Sequence, residues 1–205
     1  RRHPHRISAA VDIIACKFGG TSLADSAQFR KVADIVKADP RRRVVVVSAP
    51  GKRHKQDPKV TDILLSIHEA TSRAMDPSPS IALVRERFLA IESELGVDAG
   101  IAASMDEFAK TVAAGADRDW IASRGEHWSA RVMAAYLGAA FVEPENAVFL
   151  TAQGLVDEKT WKILPGRIPS QGTMVMPGFY GTGAHGRVKT FSRGGSDISG
   201  AIAAR

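Results

Sequence analysis

Two short stretches of this chain share one pattern. Near the N-terminus stands CKFGGTS, Cys16 to Ser22, and close to the C-terminus SRGGSD, Ser192 to Asp197. Each joins a basic residue, Lys17 or Arg193, to paired glycines (Gly19 and Gly20; Gly194 and Gly195) and a hydroxyl, where a β-patterned run gives way to a helical one. A lysine at the end of a buried strand is costly unless an anion meets it. Paired glycines let backbone N–H groups approach a ligand closely. A helix starting beyond them adds unpaired N–H groups and the positive end of its dipole. These parts suit the binding of a polyanion, phosphate above all. For the first stretch alone, a lysine snorkelling beside a tight turn is the other reading; two such turns in one chain weigh against it.

A third constellation is SRGEHWSARVMAAYLGA, Ser123 to Ala139. Its spacing predicts a helix over Gly125 to Leu137 with Val132, Met133, Tyr136 and Leu137 facing inward. Glu126 then falls in the first turn, where an acid needs no more than the helix dipole to explain it. Ser129, one turn later, reads equally as a ligand contact or a solvent contact. Two other patterns carry no chemistry. GTGAHG, Gly181 to Gly186, has the dinucleotide-loop spacing but opens no helix and reads as a hairpin loop. His54, His68, His127 and His185 lack ligand spacing, so no zinc site and no protein-held metal is expected; His3 and His5 could hold a metal, but a short frayed tail is the reading preferred for them.

The elements that must position these residues alternate in type. Val11 to Phe18 reads as a strand, and Ser22 to Ala38 as a helix with Phe29, Val32, Ala33 and Val36 on one face. Ser22 and Asp25 give that helix a capping-box-like start. Arg43 to Ala49 is a β-branched run of the kind buried on both faces of a parallel sheet. Strand, helix and strand in that order make a βαβ unit, and the class is α/β. A helix from Thr61 carries Ile63, Leu64, Ile67 and Ala70 inward, and DPSPS, Asp76 to Ser80, breaks the pattern. Ile81, Val84, Phe88, Ile91 and Leu95 mark the next helix, and Ile101 to Ala114 another. The helical stretch 61–119 reads as a layer packed on one sheet face rather than a lid. Short strands follow from Phe141, at Val148 to Leu150, Met174 to Met176 and Val188 to Phe191, and a last helix opens at Asp197. Both glycine turns thus fall at carboxyl ends of strands, where open α/β sheets bind ligands.

Composition excludes several classes. The formal charge of +6 suggests nucleic acid, but three of those charges are Arg1, Arg2 and Arg6, and the other basic residues, Arg41 to Arg43 apart, are interleaved with acids. No nucleic-acid partner is expected. No apolar stretch is long enough for a membrane span, and Asp12 interrupts the run that a secretory signal would need. The single cysteine, Cys16, rules out an internal disulfide framework and fits a reducing, cytoplasmic setting.

With these pieces in order, the chain resembles the aspartate kinases, members of the amino-acid kinase family. KFGGTS at 17–22, VVVVSAPGK at 44–52, KVTDILL at 59–65, RGEHWSARVMAAYLGA at 124–139 and PGFYGTGAHGRVKTFSRGGSD at 177–197 carry the resemblance over almost the whole chain. It implies a three-layer α/β/α sandwich of the carbamate kinase-like type. Residues 1–10 would be a disordered basic tail and 11–205 the N-terminal portion of the kinase domain. The family's chain continues beyond the position of Arg205, and regulatory ACT domains normally follow. Turnover by this segment alone is therefore not expected, and the full-length form is expected to be a homo-oligomer. The implied reaction is phosphorylation of the side-chain carboxylate of L-aspartate by ATP with Mg2+, toward lysine, methionine and threonine. A kinase for another small carboxylate such as glutamate, or a noncatalytic amino-acid-binding module, are the rival readings. The resemblance places Lys17, Gly19, Gly20, Gly195 and Ser196 at the phosphates, and Ser48, Thr61, Glu126 and Arg193 around bound aspartate. Glu126 would take its ammonium and Arg193 its α-carboxylate, while Asp197 would orient Lys17. A carboxylate of pKa about 4 is already ionised at neutral pH and needs no general base, so Asp197 is not assigned proton abstraction.

Overall fold

The computed structural model describes residues 12–191 and 194–205. The basic tail, Ser192 and Arg193 lie outside the described residues, as does Val11, the first residue of the expected first strand. Four parallel strands form the main sheet in the order β1 (Ile14–Phe18), β2 (Arg42–Val47), β4 (Met174–Pro177), β3 (Ala140–Phe141). The valine run sits in its middle, with Val44 to Val47 paired to Ala15 to Phe18 on one side and to Met174 to Pro177 on the other. Stiff β-branched side chains suit a strand covered on both faces.

Alternation along the strands builds two cores. Val45, Val47 and Val175 face a helical layer of α1 (Ser26–Lys37), α2 (Val60–Ser72), α3 (Ser78–Leu95), α4 (Ile101–Ala113) and α5 (Arg118–Leu137). Val44, Val46, Met174 and Met176 face Val148, Leu150, Leu164, Phe191 and Ile202. The last of these belongs to α7 (Gly195–Ala204), and Leu164 follows α6 (Glu158–Ile163). Layers on both faces of the sheet make the α/β/α sandwich. Residues 61–119 are a packed layer, as expected: Trp128 of α5 makes edge-to-face contacts with Phe88 and Phe108 at centroid distances of 5.4 and 5.1 Å. Its indole N–H also donates to Ser104 Oγ at 2.9 Å. The GTGAHG stretch joins β5 (Tyr180–Thr182) to β6 (Val188–Thr190) in an antiparallel hairpin, as its lack of a following helix predicts.

Four boundaries differ from the sequence expectation, each for a local reason. Helix α1 starts at Ser26 rather than Ser22, because the Asp25 carboxylate accepts from the Gln28 N–H at 2.9 Å and caps it there, after a 3-10 turn at Gly20–Leu23. Helix α5 begins at Arg118, two turns before the expected Gly125. A glycine inside a helix weakens it, which is why the pattern reads as a start, but packing overrides the propensity. A Cβ on Gly125 would lie 2.7 Å from the Ala49 Cβ and 3.2 Å from Leu64 and Val60 side chains. Helix α6, too short for a periodic signal, was not expected; the Asp157 side chain caps it through the Lys159 N–H at 2.8 Å. Residues Val148 to Leu150 contribute isolated bridges to Thr182 and Val156 instead of a strand.

The crowding at Gly125 gives a measurable expectation. Gly125→Ala destabilises by about 1–3 kcal/mol from overpacking, despite alanine's better helix propensity. Gly166→Ala, with open space around its Cβ position, stays within about 0.5 kcal/mol of the parent. Urea unfolding midpoints check both, and equal midpoints for the two variants would contradict the close approach of α5 to the end of β2.

Candidate active site

The two glycine turns meet in space. Lys17, next to last in β1, has Nζ 2.7 Å from Oδ1 of Asp197, in the first turn of α7. The lysine is largely covered while the aspartate is largely exposed, so the cation is held from its solvent side. Gly200, one turn further along α7, lies under the stem of the lysine: a Cβ there would come within 3.0 Å of the Lys17 Cβ. Gly19 leaves the space next to Lys17 Nζ open, a Cβ there falling 3.5 Å from it. Gly194 opens α7 in the left-handed conformation, φ 77°, which glycine adopts without strain. Gly195 is then pressed against Phe179 and Phe191. Phe179 itself holds φ 80°, a strained value for a residue with a Cβ, and its N–H is fixed by Ser199 Oγ at 3.0 Å. Ser196 packs on Gly178, whose N–H donates to the Val47 carbonyl at 2.9 Å. The start of α7 is thereby seated on the ends of β2 and β4.

The first turn works differently from its sequence reading. Gly20 does not turn a bare face toward a ligand; a Cβ there would lie 2.9 Å from the Ala49 carbonyl and 3.1 Å from the Gly51 amide. Gly51 in turn packs on Gly20, its N–H donating to the Gly20 carbonyl at 2.7 Å. The glycine at 20 serves the contact between the loops that follow β1 and β2. Nor does α1 aim its N-terminus at an anion, since Asp25 caps it. Of the two helix ends expected to flank a polyphosphate, only α7 starts without a side-chain cap.

Glu126 departs furthest from the simple expectation. It lies in the middle of α5, not its first turn, so dipole complementation does not explain it. The side chain is buried, and Oε2 has no hydrogen-bond partner. Burial pushes its carboxyl up from the ordinary 4.5 to about 8, with the Ala49 N–H and the Arg124 guanidinium pulling the other way. Ser129, which the sequence left open between a ligand contact and a solvent contact, is fully buried with its Oγ also partnerless. The spacing of Glu126 and Ser129 on one helical face was the signal for that pair. Ser48, at the end of β2, is buried with its N–H on the Phe18 carbonyl at 3.1 Å, and Thr61 is half-buried in the first turn of α2. Arg193 lies outside the described residues. The next residue after Glu126 is tied differently: His127 Nδ1 lies 2.9 Å from Glu143 Oε2, and the Tyr180 hydroxyl donates to Glu143 Oε1 at 2.7 Å. Burial lowers the His127 pKa, and the pair pins the hairpin to α5.

Lys17, Ser48, Glu126 by way of Ala49, Ser196 and Asp197 therefore gather at the carboxyl end of the sheet. Two hollows elsewhere, about 420 and 440 Å³, share Asp117, Arg187 and Val188 and are lined by none of these residues. Among the described residues no group of three or more His, Cys, Asp or Glu could hold a metal, and no helix is long and apolar enough to cross a membrane.

The profile of the Amino acid kinase family matches residues 12–205. Aspartokinase 3 of Bacillus subtilis is 37% identical over 204 residues, 92% of this chain and 45% of that protein. Lysine-sensitive aspartokinase 3 of Escherichia coli is 28% identical over 223 residues, 94% of this chain and 46% of that protein. The crystal structure of Clostridium acetobutylicum aspartate kinase superposes with a TM-score of 0.88 at 40% identity, covering 91% of this chain and 43% of that one. Escherichia coli aspartokinase III, in complex with aspartate and ADP, gives 0.79 at 25% identity, covering 94% and 46%. The chain spans somewhat less than half the length of these relatives.

The raised Glu126 pKa makes a stability prediction. The folded state holds the Glu126 proton more tightly than the unfolded chain does. That contribution is fully present below pH 4.5 and is lost as pH rises through about 8. Stability relative to Glu126→Gln should thus fall between pH 5 and pH 8, with a slope approaching about 1.4 kcal/mol per pH unit. Urea unfolding of both proteins across that range checks it, and parallel curves would mean that Glu126 is ionised in the folded chain.

Proposed function

The chain belongs to the amino acid kinase family, and from that premise we propose that it carries the aspartate site and one side of the phosphate site of an aspartate kinase. The observation that carries this reading is the buried carboxyl of Glu126, one oxygen of which has no partner, at the same end of the sheet as the Lys17–Asp197 pair. A site for a small zwitterion needs a desolvated carboxyl that ionises against the ammonium, and a kinase needs a cation for the transferring phosphoryl group. Glu126 takes the ammonium of L-aspartate, Arg193 its α-carboxylate, and Ser48 and Thr61 border the same ligand. Gly19, Gly195 and Ser196 offer N–H and hydroxyl donors to the phosphates.

The second substrate is MgATP, its magnesium brought in on the phosphate oxygens. A carboxylate oxygen of aspartate attacks the γ-phosphorus, the bond from that phosphorus to the β,γ-bridging oxygen breaks, and the electron pair leaves with ADP. No proton moves, because the nucleophile is already ionised. The barrier is one of charge, an anion approaching a polyanion, so catalysis rests on positioning and preorganised positive charge. Lys17 supplies that charge beside the open space at Gly19. Asp197 holds the ammonium group in place rather than removing a proton from the substrate. The α7 N-terminus adds dipolar stabilisation. The product, 4-phospho-L-aspartate, is an activated acid suited to a biosynthetic reduction.

The test is ATP-dependent trapping of the acyl phosphate as aspartyl hydroxamate by the full gene product that carries these residues. L-Aspartate should support it and L-glutamate should not. Lys17→Met should lower kcat by roughly a hundredfold or more with the KM for aspartate little changed. Near-normal turnover by that variant would overturn the role of Lys17, and hydroxamate formed from glutamate but not aspartate would overturn the substrate.

A further inference from the structure

Beneath the loop contact at Gly20 and Gly51 lies a charge that the reaction does not use directly. Arg87 of α3 is almost wholly buried, as is its ion-pair partner Asp57. Its guanidinium donates to the Ala24 carbonyl at 3.0 Å, in the loop after β1, and also to the Gly51 carbonyl, in the loop after β2. It reaches the Asp57 carboxylate at 3.0 Å and the Pro58 carbonyl at 3.2 Å, again in the loop after β2. Asp57 closes that loop on itself, accepting from the Arg53 N–H at 2.9 Å and from the Arg53 guanidinium at 3.0 and 2.7 Å. Every acceptor of Arg87 therefore belongs to one of two loops. One follows Lys17 and Gly19; the other runs between Ser48 and Thr61.

We propose that Arg87 is a positioning residue, a buried strap that sets the phosphate-side loop after β1 and the substrate-side loop after β2 at a fixed distance. This rests on the kinase reading above. A planar guanidinium reaches several carbonyls and a carboxylate at once, which an ammonium on a flexible stem does not reproduce. Burying a cation is unfavourable unless its donors are matched; both terminal nitrogens of Arg87 are matched while its Nε–H has no partner, and a lone structural tie between helices would be met more simply by apolar contacts. The loop after β1 holds a single 3-10 turn, and the two loops meet in a close backbone approach at Gly20 and Gly51. A shift of about 1 Å between nucleophile and phosphoryl donor is enough to slow a reaction some hundredfold.

The experiment compares Arg87→Lys with the parent full gene product, with Arg85→Ala as the control. Arg85 sits on the same helix in an exposed pair with Asp106. The expected result for Arg87→Lys is a folded protein whose kcat/KM for aspartate falls roughly ten- to a hundredfold, with a raised KM for aspartate and a lowered kcat per folded site. A merely structural role would reduce the folded fraction and leave both KM values unchanged. Folded Arg87→Lys with parental kcat and KM would overturn the proposal. Should Arg87→Lys fail to fold, Asp57→Asn, which keeps the guanidinium and its carbonyl contacts, is read the same way. If the parent protein phosphorylates no aspartate, the kinase reading fails separately. Amide hydrogen exchange at Gly51 and Asp57 then decides the strap: at least tenfold faster exchange in the variant supports it, and unchanged exchange overturns it.

Discussion

A carboxyl group shut away from water with one oxygen unpaired is the constraint on which much of this molecule turns. Desolvating Glu126 favours its neutral form by more than the nearby Ala49 amide and Arg124 guanidinium restore. Such a group persists because the surroundings leave it no alternative. It sits in the middle of a long helix, α5, next to the one residue, Gly125, that lets that helix press on the end of β2. On the far side the same helix is gripped by Phe88 and Phe108 around Trp128, and through His127 it is tied to Glu143 and Tyr180. A positive charge brought against that oxygen would supply what the fold withholds.

The second half of the site depends on a different kind of fixation. Lys17 and Asp197 lie far apart in sequence and are joined because α7 packs back across the sheet, with Gly200 under the lysine stem and Ser196 on Gly178. Glycines do most of this work by letting elements touch rather than by bending the chain. Positive φ matters at Gly194, where α7 begins, whereas Gly20, Gly51, Gly125 and Gly178 are needed for close approach. The strained Phe179 lies in the same seam, and strain of that kind gathers where a site over-determines its backbone.

Much of this was legible in the residues. The valine run announced a central parallel strand, the βαβ order announced the class, and the repeated glycine turn marked two distant segments that the fold brings together at Lys17 and Asp197. The GTGAHG stretch could be rejected as a nucleotide loop because nothing helical follows it. What could not be read was contact. Gly125 weakens its helix in isolation, so α5 seemed to start there, and Glu126 was demoted to an ordinary first-turn acid. Gly20 looked like a surface for phosphate, yet its space is filled by a loop whose position only the tertiary fold reveals. Arg87 carried no signal at all, since an arginine among the apolar positions of α3 reads as a surface residue until its four acceptors are brought round it.

The central claim is that Glu126 waits neutral and is ionised by the ammonium of its ligand. Calorimetric titration of L-aspartate into the full gene product at pH 7, in buffers of differing ionisation enthalpy, measures the protons exchanged on binding. With a carboxyl poised at about 8, close to one proton should be released per aspartate bound, and Glu126→Gln should abolish that release. Binding of aspartate without proton release, or release unaltered by the substitution, would contradict the account.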